Sequence, residues 1–178
     1  MLLSAGDALV DFLPVRAADG REALLPLPGG SCFNVAIGMA RLGAPVGFVG
    51  GISTDLFGRL LADHAAGSRL DLTFATRSAH PTTLAFVRII AGEPHYAFYD
   101  EGTASRHWTY WPGTIPFATI EAIHVGSTTL VEERGAAEAL RMIVEARPTT
   151  TIAFDPNCRP NLVRDREIYV HRMDRLAS

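Results

Sequence analysis

The stretch Pro28 to Gly58, PGGSCFNVAIGMARLGAPVGFVGGISTDLFG, constrains the fold more than any other part of the chain. Gly29 and Gly30 open it, and no strong breaker follows from Cys32 to Leu42. Phe33, Ala36, Ile37 and Ala40 recur at helical spacing, and Val35, Met39 and Leu42 fill a second stripe. A helix apolar on nearly all sides should be buried. Gly43 and then Pro45 stand where a helix stops. Val46, Phe48 and Val49 are short enough for an interior strand. Gly50-Gly51 follows, and Asp55 can cap a second helix from about Leu56 to Ala66.

The unit is thus glycine turn, buried helix, strand, glycine turn, capped helix. Glycines before a buried helix let other atoms approach the backbone closely. First-turn N–H groups lack partners inside the helix, so they can bind an anion or a hydroxyl oxygen. Asn34 sits in that turn and both donates and accepts hydrogen bonds, which suits a polyol. A plain reading stands beside this one: Gly29-Gly30 as a tight turn and Asn34 as a cap.

Of the 178 residues, 48% are apolar and 20% charged, enough for one domain with a real core. A net charge of −3 and the lack of a basic cluster argue against a nucleic-acid partner. Cys32 and Cys158 fit no metal-ligand spacing and are expected to be reduced, semi-buried thiols of a cytoplasmic protein. The start, MLLSAGDALVDFLPV, carries Asp7 and Asp11 and no basic residue before its apolar run, unlike a signal peptide. No run approaches the ~20 apolar residues needed to span a bilayer, so no membrane partner is expected.

In chain order, Leu2 to Leu13 reads as a strand broken at Gly6-Asp7. Asp11 closes its apolar run, and an unpaired buried charge there is costly. The carboxylate must find donors, lie at the open end of the strand, or be solvated. Asp19-Gly20 marks a turn, and Ala23 to Leu27 a return strand. Leu70 to Ala75 is expected to be a strand. Thr83 to Ile90 and His95 to Tyr99 flank Gly92-Glu93 as a β-hairpin rich in aromatics. Ile120 to Val125 reads as a buried strand, and Thr150 to Phe154 as another strand. Between them, Glu132 to Ala146 reads as a helix with Ala136, Leu140, Ile143 and Val144 on one face. Arg166 to Leu176 reads as a last helix.

Strands alternating with helices imply parallel pairing with right-handed crossovers. Ligands then bind beyond the carboxyl ends of the strands. Asp11, Ser127, Asp155, Asn157 and Arg159 all fall just after expected strands, so they are expected to share one crevice.

The segment GGSCFNVAIGMARLGAPVGFVGGISTDLFG resembles the first signature region of the PfkB (ribokinase-like) carbohydrate kinases. FYDEGTASR, HVGS and FDPNCRP resemble segments of the fructokinase branch. The resemblance runs over essentially all 178 residues, in four ordered segments. It implies a doubly wound, mostly parallel α/β sheet, ribokinase-like but incomplete, with a small β-lid from residues 11–28 and 83–101. It implies that Asp11 accepts hydrogen bonds from sugar hydroxyls and that Gly29, Gly30 and Asn34 line the sugar pocket. Phe98 falls at the aromatic lid contact, and Arg159 where an arginine approaches the transferring phosphate. In some relatives two copies pair through the lid, which leaves a homodimer open here.

Cys32 stands where the signature usually has Gly, Ala or Pro, and Ser53 where it usually has Gly. Ser53 would be strained if its position needed positive φ. The family's glycine-rich anion hole with its catalytic Asp, its adenine pocket and its magnesium-holding segment have no counterpart here. The resemblance therefore places residues 1–178 as the N-terminal part of a kinase domain. ATP and Mg²⁺ belong to the full-length enzyme and are not expected to bind fully to this chain. Without a general base, worth ~10²–10⁴-fold, the chain alone is expected to be inactive.

The first functional reading is the substrate-side half of an ATP-dependent sugar kinase, most readily a fructokinase. The alternative is a non-catalytic sugar-binding or interaction module of the same fold. Within the kinase reading, 2-keto-3-deoxygluconate and a nucleoside remain rival substrates, and Asp100 at the lid disfavours the acid.

Overall fold

The structure, a computed structural model, describes residues 1–177. Four strands form a fully parallel sheet: β1 (Leu2–Ala5), β4 (Val46–Val49), β9 (Ala122–Gly126) and β10 (Thr151–Asp155), in the order β10-β9-β1-β4. β4, the next strand of this sheet along the chain, pairs on one side of β1, and the chain then returns to place β9 on the other side. The strand order therefore reverses at β1/β9, where a doubly wound sheet opens its ligand crevice.

Helix α1 (Ser31–Arg41) packs on one face of this sheet and α3 (Glu133–Ala146) on the other. On the α1 side Phe33 meets Phe48 edge to face, with ring centroids 5.3 Å apart, and both are fully buried. Each such ring contributes about 1.5–3 kcal/mol through burial alone. On the α3 side Ala136, Ala139, Met142 and Ile143 close over Ile123 and Val125. Val144 is mostly exposed, so it does not share the face of Ala136 and Ile143. Leu42, at the end of the second α1 stripe, is 89% exposed, because the helix has already stopped.

Helix α2 (Leu56–Gly67) begins where expected: Asp55 Oδ1 accepts the Gly58 N–H at 2.7 Å. The same carboxylate accepts the N–H and hydroxyl of Thr82, which pins the start of the lid to the helix. Burial works against the Asp55 charge, but the Thr82 and Gly58 hydrogen bonds outweigh it and hold the carboxyl below its usual 3.8. Ser53 has no positive φ and is not strained; its hydroxyl accepts the Asp55 N–H at 3.0 Å.

Leu70 to Ala75 is not a strand. Asp71 makes a single bridge to Gly47. Its carboxylate then accepts the N–H and hydroxyl of Thr73, and this local turn ends the pairing. The short strand there is β6 (Thr76–Ser78), paired in parallel with β5 (Gly51–Ser53).

The lid is a second four-stranded sheet: β2 (Leu9–Arg16), β3 (Glu22–Gly29), β7 (Thr83–Ile90) and β8 (Glu93–Tyr99), in the order β3-β2-β7-β8. Phe12 and Phe86 stack across it at 4.7 Å. The β7–β8 turn is Ala91-Gly92, one residue earlier than expected, and both have positive φ. Such a two-residue turn matches the strand twist. After α3 and β10 the described chain closes with α4 (Arg166–Ala177). Among the described residues no helix is long and apolar enough to cross a membrane.

Candidate functional site

Beyond the carboxyl ends of β1 and β9 lies a cavity of about 510 Å³, within the usual size range of small-molecule pockets. Asp7, Leu9 and Asp11 line it from the passage between the two sheets. Gly30, Ser31, Asn34 and Val35 come from the start of α1, and Tyr96 and Phe98 from β8. Ser127 and Thr128 follow β9; Asn157 and Arg159 follow β10.

The structure therefore brings Asp11, Gly30, Asn34, Phe98 and Arg159 onto one cavity. Gly29 is not among its lining residues. Its part is to have no side chain: a Cβ there would run into Asp11 Oδ2. Asp155 also lies off the cavity wall and instead accepts the Asn157 N–H at 2.9 Å, which shapes the loop that carries Arg159.

Asp7 is the site residue that the sequence reading passed over. It is 4% exposed, and its carboxylate accepts the N–H groups of Ser31 and Cys32, each at 3.2 Å, and the Ser127 hydroxyl at 3.3 Å. The first-turn N–H groups of α1, expected to be able to bind an anion or a hydroxyl oxygen, are taken within the chain. Asp7 already occupies them, the Asp7 carbonyl takes the Phe33 N–H, and Gly30 O takes the Asn34 N–H. Gly30 has φ +103, and a Cβ there would meet Asp7 O at 2.6 Å. The signal was present: Asp7 is a carboxylate just past the apolar strand β1, whereas Asp11 lies inside β2 rather than at a strand end.

Asp11 is different. Among the described residues none donates a hydrogen bond to its side chain, nor to that of Asn34. Burial first, and then the Asp7 charge, push the Asp11 carboxyl above its usual 3.8. A half-buried carboxylate without internal donors is suited to receive them from a ligand. Arg159 is the one cation among the described lining residues, and it donates to Asn157 Oδ1 at 2.5 Å. The cavity thus joins two carboxylates, two amides, hydroxyls, two aromatic rings and one guanidinium. This set suits a neutral polyhydroxy compound with a phosphate approaching it.

The two cysteines differ. Cys32 is fully buried, and burial together with the Asp7 charge pushes its thiol well up. Cys158 is exposed rather than semi-buried. Among the described residues no group of three or more His, Cys, Asp or Glu side chains forms a metal site.

The pfkB family carbohydrate kinase profile matches residues 25–175, and the chain belongs to that family. It is 34% identical over 178 residues to the fructokinase of Rhizobium leguminosarum bv. trifolii, covering all of this chain and 55% of that protein. The crystal structure of fructokinase from Xylella fastidiosa superposes with a TM-score of 0.88 at 29% identity, covering 99% of this chain and 56% of that one. A structure of the Xylella fastidiosa fructokinase with bound ATP gives 0.86 at 28% identity, covering 98% and 54%. The fold is accordingly the ribokinase-like α/β fold of these kinases, and the chain spans about half the length of the relatives it matches.

Proposed function

We propose that this chain is the sugar-binding half of an ATP-dependent fructokinase. The observation that carries the reading is that Asp11 and Asn34, neither with a side-chain hydrogen-bond partner among the described residues, face the same cavity as Arg159. Asp11 accepts hydrogen bonds from sugar hydroxyls, and Asn34 adds a donor and an acceptor. Tyr96 and Phe98 cover the sugar from the lid and exclude water. Arg159 faces the transferring phosphate, whose charge its fork and permanent cation suit. ATP supplies that phosphoryl group. The residues present fit the phosphate end through Arg159, whereas Asp7 is committed to α1, so a magnesium ion is not assigned to it. The cytoplasm, where ATP is at hand and free thiols stay reduced, is the matching compartment.

Lid pairing between two copies accompanies this reading. Leu25 and Leu27 share the Asp11 face of the lid by register, as do Val15 and Ile89, and all four are exposed. An exposed apolar face beside an edge strand favours association. Sedimentation of the chain checks it: a dimer is expected, and Leu25→Glu should give a monomer.

Calorimetry with fructose tests the main reading. Binding is expected, and Asp11→Asn should weaken it about tenfold to a hundredfold, the loss of one or more hydrogen bonds to a charged group. Equal affinity of both proteins for fructose would remove Asp11 from the site.

A further inference from the structure

Arg106 is only 5% exposed and lies outside the lining of the sugar cavity. Its guanidinium joins two walls of the cavity. Nε and Nη2 both donate to Asp100 Oδ2, and Nη1 donates to Thr128 O at 2.5 Å. Asp100 directly follows β8, the strand that brings Tyr96 and Phe98 to the cavity. Thr128 lines the cavity itself, next to Ser127.

The turn that Arg106 grips is strained. Ser127 has φ +60, a left-handed conformation that a non-glycine residue adopts at a cost. Such strain persists where the surroundings over-determine it. Here Ser127 donates to Asp7, while Arg172 from α4 donates to Leu130 O and Val131 O at the far end of the turn. On the lid side, Thr103 Oγ1 donates to Asp100 O and sits 2.7 Å from Thr83 Oγ1 at the root of β7. Arg106 is thus the link between a strained turn and the base of the lid.

We propose that Arg106 is a positioning residue for the sugar site: through Thr128 it holds the Ser127 turn, and through Asp100 it fixes β8, so one guanidinium sets the two walls against each other. The inference rests on the sugar-binding reading of the cavity. Lysine cannot replace it fully, because a single ammonium lacks the planar fork that reaches both acceptors.

The test uses the full chain with Arg106→Met and Arg106→Lys. Met142→Ala serves as a control, since Met142 lies on the buried face of α3 and off the cavity. Fructose affinity and amide hydrogen exchange are both read. Arg106→Met should weaken fructose binding about tenfold, the loss of charge-assisted hydrogen bonds. It should also speed exchange in both 127–131 and 93–99. Arg106→Lys should restore slow exchange in 93–99 but not in 127–131. Met142→Ala should lower the denaturation midpoint and leave fructose affinity unchanged. If Arg106→Met fails to fold, Asp100→Ala cuts the same link from its more exposed end, with the same two segments expected to loosen. Unchanged exchange in either segment overturns the proposal, as does a fructose loss no larger than the control's. If the parent chain binds no fructose, the sugar reading falls. The exchange pattern alone then decides whether Arg106 couples turn and lid.

Discussion

The carboxylate of Asp7 accepts the backbone N–H of Cys32 at 3.2 Å, across 25 positions of sequence. This one contact caps α1, whose own Gly30 offers no side chain for the task. It also fixes the junction where the chain leaves the parallel sheet for the lid.

Asp7→Ala should therefore cost about 1–3 kcal/mol, since it leaves buried N–H groups and the Ser127 hydroxyl without their acceptor. Asp7→Asn keeps one acceptor and should cost less. Denaturant midpoints at constant slope measure both; equal stability of Asp7→Ala and the parent would show that the cap is dispensable.

The glycines before α1 should separate stability from binding. Gly29 has ordinary φ, and its Cβ would collide with Asp11 Oδ2, so Gly29→Ala should displace the carboxylate and weaken fructose binding. Gly30→Ala meets both a positive φ and backbone atoms of Asp7 and Ala8, and should cost more than ~1–2 kcal/mol of stability. Melting and calorimetry on the two variants check this order.

Much of this was legible in the residues, for local reasons. Asp55, placed just before an apolar helical run, caps α2 as its type and position require. The glycine-bounded helix and the post-strand placement of Ser127, Asn157 and Arg159 put the cavity in the right place, whereas Asp11 does not follow a strand but lies within β2, where it pairs with Leu27 and Ala85. What stayed hidden depends on distant partners. Asp7 acts through residues 24 or more positions away. Leu70 to Ala75 alternates like a strand, yet the Asp71 side chain turns the chain after one bridge. Arg106 gives no local signal at all, since Asp100 and Thr128 meet only in the fold. Tyr96 belongs to the aromatic-rich hairpin, but its place on the cavity follows from the β7–β8 register.

Stability and binding should respond to pH in opposite ways at Asp11. Its folded pKa lies above the usual 3.8, so between those two values the native state binds more protons than the unfolded chain. Its contribution to stability is therefore fully present below 3.8 and is lost as pH rises through the raised value. Fructose affinity should rise over that same window, because the ionised carboxylate is the better acceptor. His124 runs the other way from Asp11 in stability. Burial lowers it below 6.5, though the Asp155 and Asp7 charges pull it back. Its contribution is present above 6.5 and is lost as pH falls through the lowered value. Midpoints for Asp11→Asn and His124→Gln across this range should each lose the matching slope.

The central claim is that side chains from five separate segments meet at one cavity and grip a sugar there. Titrating fructose into the isotope-labelled chain and following amide resonances tests it most directly. The account predicts shifts concentrated at Asp7, Asp11, Asn34, Phe98, Ser127 and Arg159, with α3 silent. Shifts confined to a region away from these residues, or none at saturating fructose, would contradict it.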